Sequence, residues 1–222
     1  MKKFLLLSLT IIGLSVISFY GYGKLNLKYK STYQQLKKTA ALELQDGDII
    51  FQSSQSGQSL AVQLATKSKY SHVGLIYIIE GKTYVYEAVQ PVKITTFNEW
   101  IKHGDGNHYI VKRLKNADKI LTQEVIQKMK TAGEKYNNKD YDLYFGWSDD
   151  RIYCSELVWK IYKEATGIEL GKLQQLKEFD LTHPIVQKKL KERYGNNIPY
   201  EEKVISPAAI FESEELVLVT VK

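Results

Sequence analysis

The sequence predicts an α+β fold in which an antiparallel sheet packs against helices. Three observations predict it: two β-rich runs around a tight turn at residues 71–89, a closing strand at residues 216–221, and helical patterns at residues 122–135 and 148–167. Of the 222 residues, 44% are hydrophobic and 25% charged, so the chain can bury a core of ordinary size. No internal repeat or long linker is present, and we expect residues 24–222 to form one domain.

The N-terminal segment has the pattern of an export signal. Lys2 and Lys3 precede an apolar run at residues 4–20, and a short basic stretch before such a run is typical of exported proteins. The run is long for a cleaved signal and short for a full span of roughly twenty residues. We therefore expect residues 1–23 to be a signal peptide or an N-terminal membrane anchor. The rest of the chain is then periplasmic, extracellular or membrane-associated.

Charge and composition argue against several kinds of partner. The net charge is +6, but the basic residues are scattered, and no basic stripe is interleaved with aromatic residues. We therefore expect no nucleic-acid partner, whereas membrane association through residues 4–20 fits the sequence. A single cysteine allows no internal disulfide. Since no paired cysteines, His-x-x-x-His motif or acid cluster at ligand spacing is present, we expect no metal and no other cofactor.

The first half of the domain reads as short elements around a polar loop. Polar residues with helical spacing at 29–41 predict a lead-in helix, and residues 44–51 read as a turn running into a strand. Residues 53–59 are small and polar, as in loops that border binding sites. Residues 60–67 predict a short helix.

The second half alternates strands and helices. Residues 108–114 predict a strand, and residues 122–135 an amphipathic helix with Val125, Met129 and Ala132 on one side. Residues 168–204 are polar and irregular, and we interpret them as an insertion. The helix at residues 148–167 has three candidate N-caps and a glycine stop. These are Ser148, Asp149, Asp150 and Gly167.

Cys154 lies near the start of this last helix. Free backbone N–H groups and the helix dipole favour a thiolate there, and the same N–H groups can stabilise an oxyanion. A buried core cysteine is the alternative, because Cys154 shares a helical face with Val158, Ile161 and Ala165.

A thiolate nucleophile usually requires a base, and the chain offers four histidines. His103 and His108 flank a Gly-Asp-Gly loop and read as surface residues, and His183 precedes a proline in the polar segment. His72 differs because it opens a strongly apolar strand. It is therefore the candidate base, the alternative being a half-buried structural histidine.

The hairpin register decides whether an acid lies beside His72. If Glu80 and Gly81 form a two-residue turn, residues whose numbers add up to 161 face each other, and Glu87 lies opposite Gly74. His72 and Glu87 are then diagonal neighbours on one face, with Gly74 leaving space between them. Such an acid would orient the imidazole as the third member of a triad. A turn one residue longer would leave Glu87 on the opposite face, as a solvent-exposed charge.

Five short motifs occur along the chain in a recognisable order. They are Leu44-x-x-Gly-Asp-Ile-Ile-Phe51, Tyr70-Ser-His-Val-Gly74, Tyr86-Glu-Ala88, Tyr141-Asp-x-x-Phe145 and Tyr153-Cys-Ser-Glu-Leu-Val158. Together they resemble the YiiX/YebB-like family, the circularly permuted branch of the NlpC-type cysteine hydrolases. The resemblance spans about residues 42–167, with a weaker echo at Ser206-Pro207.

The resemblance implies a circularly permuted papain-like fold in which the histidine precedes the cysteine, as His72 precedes Cys154. It implies a triad of Cys154 as nucleophile, His72 as base and Glu87 as the acid that orients the base. It also implies a tyrosine near the oxyanion, for which Tyr141 is the first candidate and Tyr144 the second.

The implied activity is hydrolysis. NlpC-type relatives cut amide bonds in cell-wall peptides, and permuted relatives include enzymes that act on acyl groups of lipids. We expect an exported thiol hydrolase that cleaves an amide or an ester in a cell-envelope substrate, namely a small peptide, an amino-acid amide or an acyl-lipid. The alternatives are a lipid acyl hydrolase or acyltransferase, and a non-catalytic binding module of the same fold.

Overall fold

The computed structural model describes residues 43–222, and residues 44–222 group into one unit by their contacts. The expectations for residues 1–23 and for a helix at 29–41 lie outside the described residues. Within the described range, no helix is both long enough and apolar enough to cross a bilayer.

A six-stranded antiparallel sheet lies at the centre of this unit, as the sequence predicts. Its spatial order is β4-β3-β2-β1-β5-β8, and β6 and β7 form a separate two-stranded sheet. The strands are β1 (Ile49–Gln52), β2 (His72–Ile79), β3 (Lys82–Glu87), β4 (Lys93–Thr96), β5 (Ile110–Leu114), β6 (Gln174–Gln175), β7 (Lys203–Val204) and β8 (Leu216–Val221).

Helices cover the sheet on both faces. They are α1 (Ser59–Thr66), α2 (Phe97–Lys102), α3 (Ala117–Ile120), α4 (Gln123–Glu134), α5 (Cys154–Thr166), α6 (Pro184–Tyr194) and α7 (Pro207–Phe211), with 3-10 turns at Asp105–Asn107 and Leu176–Glu178. Helix α5 packs against β2 and α4, which places the larger core between them. A smaller core lies on the other face and is built around Trp100 of α2.

Strand β1 shows how the sequence positions both cores. Ile49 and Phe51 belong to the larger core, whereas Ile50 belongs to the smaller one. Successive side chains of a strand point to opposite faces, so a strand that is covered on both sides must be apolar at consecutive positions.

The β2–β3 hairpin has the two-residue turn that the sequence predicts. Leu75 pairs with Tyr86 and Ile79 with Lys82, which is the predicted register. Glu80 and Gly81 both have positive φ, at 50° and 73°. Two consecutive positive φ angles define a type I′ turn, whose twist matches that of the flanking strands.

Helix α5 begins later than predicted. Ser148, Asp149 and Asp150 do not cap it; the N-cap is Tyr153, and Gly167 ends the helix with a φ of 77°. The backbone carbonyl of Ser148 and the carboxylate of Asp149 instead accept hydrogen bonds from Lys160. The consequence is that Cys154 is the first residue of the helix.

Residues 168–204 are more ordered than the sequence suggested. The segment contains α6, which begins with proline in its first turn and is capped by the side chain of His183. Helix α6 packs against α1. The sequence patterns also gave no sign of β4 and α2, which lie consecutively and are joined at Thr96, the N-cap of α2. That residues 168–204 are an insertion stays a prediction.

Candidate active site

The thiol of Cys154 lies at the N-terminus of α5, and the residue is only 3% exposed. As the first helical residue, it lies where backbone N–H groups have no partner within the helix. The positive end of the helix dipole favours a negative charge at this point. The thiol is therefore buried, as the core-cysteine alternative required, but it lies in a position that favours a thiolate.

His72 and Glu87 lie side by side on the face that carries the smaller core. The imidazole Nε2 is 2.6 Å from the Glu87 Oε2, and both side chains are buried. The Thr95 hydroxyl donates a 2.5 Å hydrogen bond to Oε1 of the same carboxylate. The Trp100 ring stacks on the imidazole with a centroid distance of 5.8 Å. These contacts fix the orientation of the His72 ring.

His72 also bonds to Cys154. Since Nε2 faces Glu87, the nitrogen left for the thiol is Nδ1. Burial by itself lowers the pKa of His72, but hydrogen bonds to Cys154 and Glu87, together with their charges, outweigh it and raise the pKa to about 10. The imidazole is therefore held in its protonated form at neutral pH.

The pKa of Cys154 moves in the opposite direction. Burial raises the pKa of the thiol, but the hydrogen bond and charge of His72, with smaller contributions from the Val73 backbone and Tyr141, bring it below the ordinary value. The pKa of Glu87 is likewise lowered, because the bonds from His72 and Thr95 outweigh its burial. The three shifts therefore favour a thiolate, an imidazolium and a carboxylate in sequence.

Of the two tyrosine candidates, only Tyr141 reaches the thiol. Its hydroxyl bonds to Cys154, and burial together with the charge of Cys154 raises the pKa of Tyr141 well above 10. A β-bridge to Ile152, two residues before the cysteine, holds the Tyr141 backbone in place. Tyr144 is 48% exposed and its ring contacts Tyr194 instead.

A cavity of about 860 Å³ opens beside these groups. Its wall includes His72 and Tyr141, which bond to Cys154, and Glu87, which bonds to His72. The polar loop at 53–59 forms another side, which agrees with its expected place at a site. A cavity of this size lies within the usual range for small-molecule sites.

Three side chains of α6 also line the cavity, and sequence reasoning did not find them. They are Lys189, Glu192 and Arg193. No motif marks them, because α6 reaches the site through its packing on α1, a contact between distant segments. Of the remaining histidines, His103 lines the same cavity, His108 is exposed and His183 caps α6.

Comparisons with known proteins agree with this architecture. The family described as "Permuted papain-like amidase enzyme, YaeF/YiiX, C92 family" matches residues 43–220. YiiX of Escherichia coli K12 is 52% identical over 179 residues, which is 81% of this chain and 87% of YiiX. A crystal structure described as the metalloprotein yiiX of Escherichia coli O157:H7 matches with a TM-score of 0.77 and 52% identity, covering 80% of this chain and 97% of that one.

Proposed function

Because the chain belongs to the YaeF/YiiX (C92) family of permuted papain-like amidases, and is therefore a cysteine hydrolase of amide bonds, we propose that it uses Cys154, His72 and Glu87 as a triad on a cell-envelope substrate. One observation carries the proposal. The thiol, the imidazole and the carboxylate lie in sequence at a helix N-terminus, with His72 bonded to Glu87 at 2.6 Å and interacting with Cys154. This is the arrangement that activates a nucleophile.

The first chemical step is attack on the amide carbonyl. The Cys154 thiolate forms a bond from Sγ to the carbonyl carbon, and the C–N bond then breaks. The leaving amine takes a proton from the His72 imidazolium, and a thioester remains on Cys154. His72 next accepts a proton from water, which attacks the thioester and releases the acid. Glu87 keeps the imidazole oriented through both steps by its 2.6 Å bond.

Tyr141 and the first turn of α5 are the candidates for stabilising the oxyanion. The raised pKa of Tyr141, caused by burial and by the charge of Cys154, keeps its hydroxyl protonated and able to donate. Backbone N–H groups at the start of α5 supply further donors. These donors would be preorganised, because the β-bridge between Tyr141 and Ile152 fixes one element against the other.

An acyl-lipid hydrolase is the second candidate, which would require an apolar cavity for the acyl chain beside the site. A smaller, largely apolar cavity adjoins the site and shares Gln58, Val62, Lys189 and Arg193 with it. Its volume is about 90 Å³, well below the ~300 Å³ at the lower end of ligand cavities. It fits a side-chain-sized group better than a long acyl chain, so we favour a peptide or amino-acid amide.

The cell envelope is proposed as the place of action on the sequence alone. Lys2 and Lys3 before the apolar run at residues 4–20 support export. An amide-bearing peptide of the cell wall is a substrate class that this location would supply.

The described residues do not favour a resident metal, although the relative from Escherichia coli O157:H7 is described as a metalloprotein. Cys154 and His72 bond to each other, and the two oxygens of Glu87 are occupied by His72 and Thr95. Within residues 43–222, no group of three or more His, Cys, Asp or Glu side chains is placed to hold a metal ion. Because stable protein metal sites use three or four such ligands, the proposed steps involve no metal.

A substrate panel tests the proposal. Wild-type protein and Cys154→Ala are incubated with cell-wall peptides, amino-acid anilides and acyl phospholipids, and released amine or fatty acid is measured. We expect amine release by the wild type alone. The substitution removes a small buried group, so we expect a loss of about 1 kcal/mol and a melting temperature about 2–4 °C lower.

The other outcomes separate the alternatives. Fatty-acid release without amine release would indicate the lipid hydrolase. No hydrolysis of any substrate, together with a Cys154 that reacts with iodoacetamide no faster than a free thiol, would indicate a binding module.

A further inference from the structure

The guanidinium of Arg193 is a half-buried positive charge in the wall of the active-site cavity. It lies over the Phe145 ring, with 5.1 Å from Cζ to the ring centroid, and donates a hydrogen bond to the Gln58 side chain. The positive charge of Arg193 acts to lower the pKa of Tyr141, the residue that bonds to Cys154. Arg193 is therefore within electrostatic reach of the reacting groups.

The acids around Arg193 are engaged elsewhere. Glu192, the neighbouring acid in the cavity wall, forms a 2.7 Å ion pair with Lys189. The two carboxylate oxygens of Asp142 accept hydrogen bonds from the backbone N–H groups of Tyr144 and Gly146. Across residues 43–222, no carboxylate forms an ion pair with Arg193.

Burying a cation without an ion-pair partner costs free energy, and the lowered pKa of Arg193 reflects this cost. Burial lowers the pKa of Arg193, even though the negative charges of Glu192 and Asp142 act to raise it. A guanidinium has five N–H donors in a planar fork that fits a carboxylate. The bond to Gln58 occupies only one nitrogen.

We propose that Arg193 binds a carboxylate of the substrate, so that the preferred substrate carries a negative charge close to the scissile amide. A peptide or amino-acid amide with a free carboxylate has this chemistry. This inference about substrate class rests on the proposed function, but the anion site itself can be tested without any hydrolysis.

Alkylation of Cys154 provides the test, because this is the only cysteine of the chain. In each reaction a bond forms between Sγ and the methylene carbon of the reagent, and iodide leaves. Iodoacetate carries a carboxylate, whereas iodoacetamide is neutral and of nearly the same size. The measured quantity is the ratio of the two alkylation rates by intact mass spectrometry, compared among the wild type, Arg193→Met and Arg193→Lys.

We expect Arg193→Met to lower the iodoacetate-to-iodoacetamide rate ratio about tenfold, the order expected for one unit charge near a half-buried site. Arg193→Lys should restore part of the ratio. Lys188→Met is the matched control: it removes the same charge from an exposed position of the same helix, and should leave the ratio unchanged. The charge of His72 attracts iodoacetate in every variant, so it cancels in the comparison.

An unchanged ratio in Arg193→Met would overturn the proposal, because Arg193 would then not attract an anion. The absolute rates say what Arg193 does instead: two rates equal to those of the wild type would show no role at Cys154, and two rates that fall equally would show that Arg193 only supports the structure of the cavity. This readout does not depend on hydrolysis, so failure of the anion site and failure of the amidase proposal remain distinguishable.

Discussion

The imidazole of His72 has two partners that both favour its protonated form. Glu87 lies on Nε2 and the Cys154 thiolate on the other side of the ring, and together they outweigh the desolvation of a buried cation. These interactions favour the proton of the pair on His72, so in the proposed mechanism Cys154 is charged before substrate arrives. Cys154 and His72 should consequently act as one unit.

Removing His72 should be almost as damaging as removing Cys154. We expect His72→Ala to lose most of the turnover and the double variant with Cys154→Ala to be scarcely slower than either single variant, since residues that act as a unit are not additive. Turnover of the three variants under identical conditions measures this. Losses that multiply would show that the two residues act independently.

The ion pair also predicts the pH dependence. We expect the lowered pKa of Cys154 to set the acid limb of activity, below the ordinary thiol pKa, and the pKa of about 10 for His72 to set the alkaline limb. The contribution of the His72–Cys154 pair to the stability of the fold is limited by the same two pKa values. The contribution of His72 is lost as pH rises through about 10, and that of Cys154 is lost as pH falls through its lowered pKa.

Glu87→Gln should move the alkaline limb downward. The amide keeps the shape of the side chain but removes the charge that helps to raise the pKa of His72. We expect turnover to fall by about ten- to a thousandfold, less than the loss from Cys154→Ala, because the thiolate and the oxyanion donors remain. Turnover measured from pH 5 to 11 gives both quantities.

Thr95→Val is the matched control for Glu87→Gln, since it removes one hydrogen bond to Glu87 and leaves the charge. It should shift the alkaline limb less. If Glu87→Gln gives the same pH profile of turnover as the wild type, Glu87 is not the acid that orients His72. Another group then holds the imidazole against Cys154.

At the level of elements, the β2–β3 hairpin could be predicted and the start of α5 could not. The hairpin register follows from local chemistry, because Gly81 in the turn adopts positive φ without strain. The start of α5 is accompanied by contacts of the Lys160 side chain, which bonds to the Ser148 carbonyl, the Asp149 carboxylate and Glu156. Local propensity does not show such side-chain contacts.

Gly74 is a point of close approach between β2 and β3. The sequence suggested an empty space between His72 and Glu87, but an added Cβ would first meet Val85 Cγ1 at 2.5 Å and the Tyr86 carbonyl oxygen at 3.1 Å. The Cβ of Glu87 lies further away, at 3.6 Å. The space at Gly74 therefore serves the packing of β2 on β3 at least as much as the two polar side chains.

Gly74→Ala should lower the free energy of unfolding by about 1–3 kcal/mol, the usual cost of overpacking, and should reduce turnover by disturbing the strand that carries His72. Urea unfolding measures the first effect. Gly57→Ala is the control for stability, because a Cβ there meets nothing within 4 Å. A Gly74→Ala protein as stable as the control would show that β2 and β3 have room to separate.

At the level of the molecule, one sheet brings together residues that are far apart in sequence. His72 and Glu87 come from neighbouring strands, Cys154 from a helix packed on the same sheet, and Arg193 from a later helix. Short motifs predicted the first three, because each is surrounded by residues of recognisable pattern. Arg193 lies in a polar segment without a pattern, and its place depends on how α6 packs on α1.

The N-terminal segment should be dispensable for the chemistry. All the proposed site residues lie between Gln52 and Arg193, within the unit formed by residues 44–222. We expect a chain lacking residues 1–23 to keep the melting temperature and the turnover of the full chain on a small soluble substrate. A truncated chain that fails to fold would show that the segment belongs to the domain and is no export signal.

Trapping the acyl-enzyme tests the central claim most directly. Wild-type protein is mixed with an amino-acid or peptide amide that it hydrolyses, quenched in acid at early times and analysed by intact mass and peptide mapping. We predict a mass increase equal to the acyl group, located on the peptide that contains Cys154 and absent in Cys154→Ala. Continued turnover by Cys154→Ala, or an acyl group on any other residue, would contradict the account.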